Sequence, residues 1–144
     1  MPYSRVWIHL IWSTKNRQRT ITKEIKPLLI THIIENAKQK GIHIDTINCV
    51  IDHIHLIISL SRDQTISKIT QLIKRESSNW CNKQNIFKTK FEWQEEYIAV
   101  SFSHSMLNKV REYINNQEEH HRKKSFIEEY NEFINKYEFD KNGG

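Results

Sequence analysis

The stretch from Ile42 to Leu60 reads IHIDTINCV-ID-HIHLIISL, and it decides the fold of this 144-residue chain. Residues 42–50 and 53–60 are both rich in β-branched side chains, and only Ile51 and Asp52 separate them. Two such runs joined by a tight connection predict a β-hairpin. The second run opens with two histidines at alternate positions, so the same hairpin carries the first candidate site.

Residues 4–13 (SRVWIHLIWS) predict a further strand that is apolar on both faces, a pattern typical of the centre of a sheet. The other elements follow from apolar spacing and from end signals such as Gly41 and a capping box that starts at Ser125. They are helices over 24–40, 65–82, 105–121 and about 125–138, and a strand over 96–103.

The order β-α-β-β-α-β-α-α predicts an α+β protein. Its first six elements correspond to a ferredoxin-like split βαβ sandwich, in which an antiparallel sheet carries two helices on one face. Extra C-terminal helices follow, and the first of them carries Tyr113. Since repeats and Gly/Pro/Ser linkers are absent, we predict a single domain over 1–144, with a core over about 3–121 and a C-terminal helical extension over about 125–138.

Composition narrows the possible functions. Of 3 glycines, two are the C-terminal pair, so the chain has neither a P-loop nor a G-x-G-x-x-G turn and we expect no nucleotide cofactor. The net charge of +5 is compatible with a polyanionic partner. Cys49 and Cys81 lack metal-ligand spacing and are predicted to be reduced core thiols. With no membrane span and no signal peptide in the sequence, we expect a cytoplasmic protein.

The segment Asp52-His53-Ile54-His55 is the sharpest local feature. Residues two apart on a strand project to the same face, so His53 and His55 point together and could share one metal ion. Ile54 would point away and pack in the core. The alternative is that both histidines are half-buried structural residues whose nitrogens bind backbone carbonyls.

Tyr113 and Gln117 form the second feature, because positions i and i+4 are neighbours on a helix surface. The Gln117 carbonyl oxygen could be a third ligand, and the Tyr113 phenol could be a nucleophile. The alternative is a tyrosine that packs in the core or at an interface. Among the 5 tyrosines, Tyr113 alone has a carboxamide four residues later.

The segment Asp52-His53-Ile54-His55 resembles the HUH motif (His, bulky hydrophobic, His) of single-strand endonucleases. The helix from Tyr113 to Gln117 is similar to that of their single-tyrosine transposases, the insertion-sequence 200/605 group and its relatives associated with repetitive palindromes. The resemblance covers most of the chain, and its segments are Ser13-Thr14-Lys15-Asn16-Arg17, Asp52-His53-Ile54-His55-Leu56, Trp93-Gln94 with Tyr97 and Ala99, and Tyr113-Ile114-x-x-Gln117.

The resemblance implies that His53, His55 and Gln117 bind a divalent ion, Mg²⁺ or Mn²⁺, and that Tyr113 is the catalytic nucleophile. The protein would cut and rejoin single-stranded DNA with hairpin-containing ends through a 5′-phosphotyrosine intermediate, as a homodimer. Whether Tyr113 serves its own chain's metal site or the partner's stays open. His120 or His121 could replace Gln117 as the third ligand.

Basic residues predict the DNA contacts, because lysine and arginine neutralise phosphates. We expect Lys15, Arg17 and Arg19 of the first loop and Lys74 and Arg75 of the second helix to take this role, and Lys88, Lys90 and Trp93 less so. Three rival functions stay open. They are a domesticated palindrome-specific endonuclease, a non-catalytic nucleic-acid-binding module on the same fold, and a nuclease in which water attacks instead of Tyr113.

Overall fold

The computed structural model describes residues 5–117 together with Glu128, Asn131, Glu132 and Asn135. Within them the elements, in chain order, are β1 (Val6–Ser13), α1 (Lys26–Gln39), β2 (His43–Val50), β3 (His53–Leu60), α2 (Ile66–Lys83), β4 (Ile98–Phe102) and α3 (Leu107–Asn115). Short 3₁₀ turns cover Lys15–Arg17 and His104–Met106. None of the helices in this part of the chain is long and apolar enough to cross a lipid bilayer.

The strands form an antiparallel sheet in the order β2-β3-β1-β4. This is the ferredoxin-like arrangement that the order of elements predicts, and β1 lies inside the sheet as its two apolar faces indicate. The hairpin of β2 and β3 is confirmed, with a register shift between Ile44 and Thr46.

Helix ends follow the local sequence. Pro27 stands in the first turn of α1, where its missing N–H costs no hydrogen bond. Gly41 ends that helix with φ +71°, and the N–H of Ile42 donates to the carbonyl of Ala37 at 2.9 Å. Thr65 caps α2 by accepting from the N–H of Lys68.

The sheet has two differently covered faces. One face packs against α1 and α2 through alternate residues such as Leu10 of β1 and Leu56 of β3, both fully buried. We call the other face the α3 face, because Trp7, Ile11 and Ile57 there pack against α3. Each buried Leu or Ile side chain stabilises the fold by roughly 1.5–3 kcal/mol.

The helix predicted over 105–121 is interrupted in the structure, where Gln117 is helical again after the end of α3. Its start is the 3₁₀ turn at His104–Met106, and α3 ends at Asn115, with a turn at Asn116 before Gln117. Two consecutive asparagines have low helix propensity, which favours a break at this point. Residues 118–121 lie outside the described residues, as does most of the extension predicted over 125–138, of which Glu128, Asn131, Glu132 and Asn135 are helical.

Candidate active site

Strand register brings three histidines together on the α3 face. In the pairing of β1 with β3, His55 lies opposite Ile11, and His9 lies opposite Ile57. His53 and His55 have ring centroids 5.0 Å apart, and those of His9 and His55 are 5.3 Å apart. All three rings are buried. The alternation of β3 therefore places His53 and His55 on one face as predicted, while Ile54 packs fully buried on the other.

Each of the two paired histidines is held through its Nδ1 atom. Nδ1 of His53 is 2.8 Å from Oδ1 of Asp52, and Nδ1 of His55 is 3.1 Å from Nε2 of His9. Because a carboxylate only accepts hydrogen bonds, Nδ1 of a neutral His53 carries the proton, and its Nε2 keeps the lone pair. Such second partners are how proteins orient imidazoles that ligate metals.

Asp52 is itself held by Arg17. The Arg17 guanidinium donates through Nε at 3.2 Å and Nη2 at 3.0 Å to Oδ2 of Asp52. Burial alone would raise the pKa of Asp52, but its hydrogen bonds to His53 and Arg17 and the charge of Arg17 outweigh this, and the pKa lies below its usual value. Asn16 and Arg17 reach this position through left-handed backbone, with φ 56° and 53°.

Burial keeps the site histidines uncharged. It lowers the pKa of His9 to about 3. Burial also lowers the pKa of His53, and the opposing hydrogen bonds to Asp52 and Gln117 and the charge of Asp52 only partly offset it. Neutral imidazole is the form that binds a metal ion, so His53 can bind one at neutral pH.

Tyr113, near the end of α3, and Gln117, just after it, lie next to these histidine rings. The Tyr113 ring stands edge-on to His55 and His9, with centroids 5.9 Å and 6.2 Å away, and its hydroxyl is buried. The fully buried Gln117 donates from Nε2 to the carbonyl of Tyr113 at 3.0 Å and also forms a side-chain hydrogen bond with His53. The Gln117 side chain therefore lies beside the His53 ring.

Two polar contacts dock α3 on its own sheet. Buried Asn48 of β2 donates from Nδ2 to the carbonyl of Ile114 at 2.8 Å. Arg111 forms a two-pronged ion pair with Asp45 of β2, at 2.8 Å from Nε to Oδ2 and 2.6 Å from Nη2 to Oδ1. Tyr113 therefore reaches the histidines of its own chain.

The donor set fits a divalent ion. In the described part of the chain no three His, Cys, Asp or Glu side chains form a metal-binding group, so among these residues a third protein ligand would be of another type. The carboxamide oxygen of Gln117 meets this need beside the His53 and His55 imidazoles, and the mixed N/O set leaves positions for substrate oxygens. His120 and His121 lie outside the described residues.

The basic residues of the first loop differ in their exposure and in their ion-pair partners. Lys15 pairs with Glu92 at 3.2 Å, with about half of each side chain exposed. Arg17 is committed to Asp52, as described above. Arg19 is exposed. The loop predicted to contact DNA therefore also contains a residue that holds the carboxylate behind His53.

The cations of α2 border a separate cavity of about 310 Å³. Lys74 donates to the carbonyl of Glu95 at 2.7 Å, and Arg75 is exposed. Trp93 belongs to the core rather than to an exposed stacking surface, since it is 8% exposed and donates to Ser77. Lys88 is exposed. The cavity is lined by Lys74, Arg75, Ser78, Asn79, Asn82, Lys90, Phe91, Glu92 and Trp93.

The sequence patterns indicate no role for His9 or Asn48, and they include Asp52 only as part of a motif. His9 had a visible signal, since it is the one polar side chain among Trp7–Trp12. Its neighbour in space, His55, is 46 positions away, and the register that joins them is a tertiary property.

Comparison with known proteins identifies a family for this chain. The family model described as "Transposase IS200 like" matches residues 2–117. ISDra2 transposase TnpA of Deinococcus radiodurans is 24% identical over 115 residues, which cover 76% of this chain and 81% of that protein. A solved structure from D. radiodurans, described as that of a transposase, has a TM-score of 0.66 at 21% identity over 81% of this chain and 93% of that one.

The structure of a REP-associated tyrosine transposase bound to a REP hairpin has a TM-score of 0.63 at 18% identity, over 84% of this chain and 72% of that one. At these identities the two solved structures establish the shared fold. The family match spans most of the sequence, from the strand before the first loop to Gln117. This chain therefore belongs to the IS200-like transposase family, whose members cut and rejoin DNA.

Proposed function

We propose that this protein cuts and rejoins single-stranded DNA through a covalent bond between Tyr113 and a 5′-phosphate. The observation that carries the proposal is the convergence of Tyr113, His53, His55 and Gln117 on one face of one sheet, within a single chain. A purely structural role for these residues gives no reason for a phenol, two neutral imidazoles and a carboxamide to meet there.

The proposed step is a transesterification. The Tyr113 hydroxyl loses its proton and forms a bond to phosphorus, the bond from phosphorus to the 3′ oxygen breaks, and that oxygen takes up a proton to leave as a 3′-hydroxyl. Attack by another 3′-hydroxyl reverses the exchange and releases Tyr113. One phosphodiester bond is exchanged for another, so the cycle needs no nucleotide, in keeping with a sequence that has no P-loop.

His53, His55 and Gln117 would hold Mg²⁺ or Mn²⁺. When bound, such an ion neutralises charge on the scissile phosphate and orients it for in-line attack. The protein itself would supply neutral imidazoles and an amide oxygen as ligands. The other polar atoms of these side chains are held by hydrogen bonds within the chain. The contacts of Asp52, His9 and the Tyr113 carbonyl support this assignment.

DNA would run along a basic band, defined as Lys15, Arg17, Arg19, Lys74, Arg75 and Lys90. Its two halves adjoin, because Glu92 contacts Lys15 at 3.2 Å and Lys90 at 3.6 Å and also lines the α2 cavity. The REP-associated relative, which shares this fold, binds a DNA hairpin, and we extend hairpin recognition to this chain.

We further propose a homodimer, because moving a DNA segment needs two cuts and each chain offers one Tyr113. The docking of α3 on its own β2 supports a nucleophile that acts within its own chain. Mixing the Tyr113→Phe protein with the His53→Ala protein should then leave DNA uncut. Cleavage by the mixture, measured on a denaturing gel, would show instead that Tyr113 serves the partner's histidines.

The decisive experiment compares the unmodified protein with Tyr113→Phe on hairpin-containing single-stranded DNA with Mg²⁺ or Mn²⁺. We expect a covalent protein–DNA adduct that Tyr113→Phe abolishes while DNA binding persists. Tyr97→Phe is the matched control, since Tyr97 is 37% exposed on another segment, and it should form the adduct normally.

The same experiment separates the rival functions. Normal cutting by Tyr113→Phe would identify a nuclease in which water attacks. Binding without any cutting by the unmodified protein would favour a nucleic-acid-binding module. A domesticated endonuclease would form the adduct but act on host palindromes, which the sequence flanking the gene would reveal.

A further inference from the structure

His9 is a buried polar side chain for which the reaction above gives no role. It is 1% exposed and stands on the α3 face between Trp7 and Ile11 of the same strand. Burying an imidazole costs free energy unless its nitrogens are satisfied. Nε2 of His9 lies 3.1 Å from Nδ1 of His55, so a buried polar contact joins His9 to a proposed metal ligand.

The direction of that hydrogen bond decides what His55 can do. If His9 donates, the proton of a neutral His55 lies on Nε2, and this ring has no lone pair for an ion. If His9 accepts, the proton lies on Nδ1 and the lone pair is on Nε2, the buried nitrogen on the opposite side of the ring. Asp52, which can only accept, already imposes the second arrangement on His53.

We propose that His9 is a positioning residue that accepts a hydrogen bond from Nδ1 of His55 and so keeps the Nε2 lone pair of His55 available to a divalent ion. His9 then does for His55 what Asp52 does for His53, and the two imidazoles present the same nitrogen. The inference rests on the proposed function for the identity of the ligands, but the hydrogen-bond direction is a property of the metal-free chain.

The first test measures that direction without metal. Imidazole ¹⁵N chemical shifts of the full chain should place the His55 proton on Nδ1. In His9→Phe, which keeps an aromatic ring but has no acceptor, the His55 proton should move wholly or partly to Nε2. In His9→Gln, whose amide oxygen can accept in place of Nε2, it should stay on Nδ1. A proton on Nε2 of His55 in the unmodified chain would overturn the proposal.

The second test titrates Mn²⁺ calorimetrically into the same proteins. Loss of an outer partner of a ligand costs about 10–100-fold in metal affinity, which we expect for His9→Phe. His9→Gln should stay within a few-fold of the unmodified protein. His43→Phe, the same substitution at an exposed histidine of β2, is the control and should bind normally. Equal affinity of His9→Phe and the unmodified protein would overturn the proposal.

His53→Ala separates this proposal from the function on which it rests. Unchanged Mn²⁺ affinity in His53→Ala would refute the proposed ligand set, whereas the ¹⁵N measurement would still decide whether His9 accepts from His55. If His9→Phe does not fold, the ¹⁵N shifts of the unmodified protein still decide whether His9 accepts from His55.

Discussion

Asp52 acts at the scale of single residues by linking a loop to a candidate ligand. Its Oδ1 binds Nδ1 of His53 and its Oδ2 binds Arg17, so one carboxylate sets both the proton position and the orientation of the ring. Arg17 reaches it from left-handed backbone, a conformation that is strained for a residue other than glycine. The sequence predicts a phosphate contact for Arg17, and the structure adds this internal contact.

Replacement of Asp52 by alanine should therefore weaken Mn²⁺ binding about 10–100-fold, because His53 loses the acceptor that fixes its Nδ1 proton. Isothermal titration calorimetry measures the effect. Asp63→Ala removes a carboxylate that is 85% exposed between β3 and α2, and it should leave the affinity unchanged. Equal affinities for the two variants would contradict the role assigned to Asp52.

Helix α3 is the element on which the candidate site depends. It contributes Tyr113 directly, and the turn at its end brings Gln117 to His53. Apolar contacts of Leu107, Val110 and Ile114 hold it against the sheet. Apolar packing alone would let α3 slide slightly along the sheet. The hydrogen bond from Asn48 to the Ile114 carbonyl is directional, so it fixes the position of α3 on the sheet.

Asn48→Leu tests this docking. The substitution leaves the buried Ile114 carbonyl without its donor, which costs about 1–3 kcal/mol of stability. We expect that loss in urea unfolding, together with a fall in cleavage rate that exceeds any fall in DNA affinity. Asn36→Leu on α1 is the control, and its stability should change by no more than about 0.5 kcal/mol. A stable Asn48→Leu that cleaves at the normal rate would refute the positioning role.

Across the whole molecule, buried histidines make stability depend on pH. His9 has a pKa of about 3 in the folded chain and an ordinary value of 6.5 when unfolded. Between those values the unfolded chain binds a proton that the folded chain does not, so acid favours unfolding. The contribution is fully present above pH 6.5 and is lost as the pH falls toward 3. His53, whose pKa is also lowered, acts in the same direction.

In metal-free buffer, the free energy of unfolding should fall by about 2 kcal/mol from His9 alone between about pH 7.5 and about pH 5, at roughly 1.4 kcal/mol per proton and pH unit. Urea titrations across this range measure it. Asp45 and Asp52 act at lower pH, because their ordinary value is 3.8. His9→Phe should show a shallower dependence, and an identical slope would contradict the assignment.

The order of strands and helices and the shared face of His53 and His55 were predictable from sequence. Both are local properties, because alternation along a strand and apolar spacing along a helix depend on neighbours within a few residues. The spacing of Tyr113 and Gln117 could be recognised in the sequence for the same reason, because it is also a local property. The family resemblance rests on these short segments, and the match over residues 2–117 confirms it.

Which distant residues support the site depends instead on how the whole chain folds. His9 meets His55 across 46 positions, and Asn48 meets Ile114 across 66, through a strand register and a helix docking that no local pattern encodes. Contacts of this kind arise when the whole sheet forms and buries its α3 face, because the core as a whole, and not any one segment, sets their geometry.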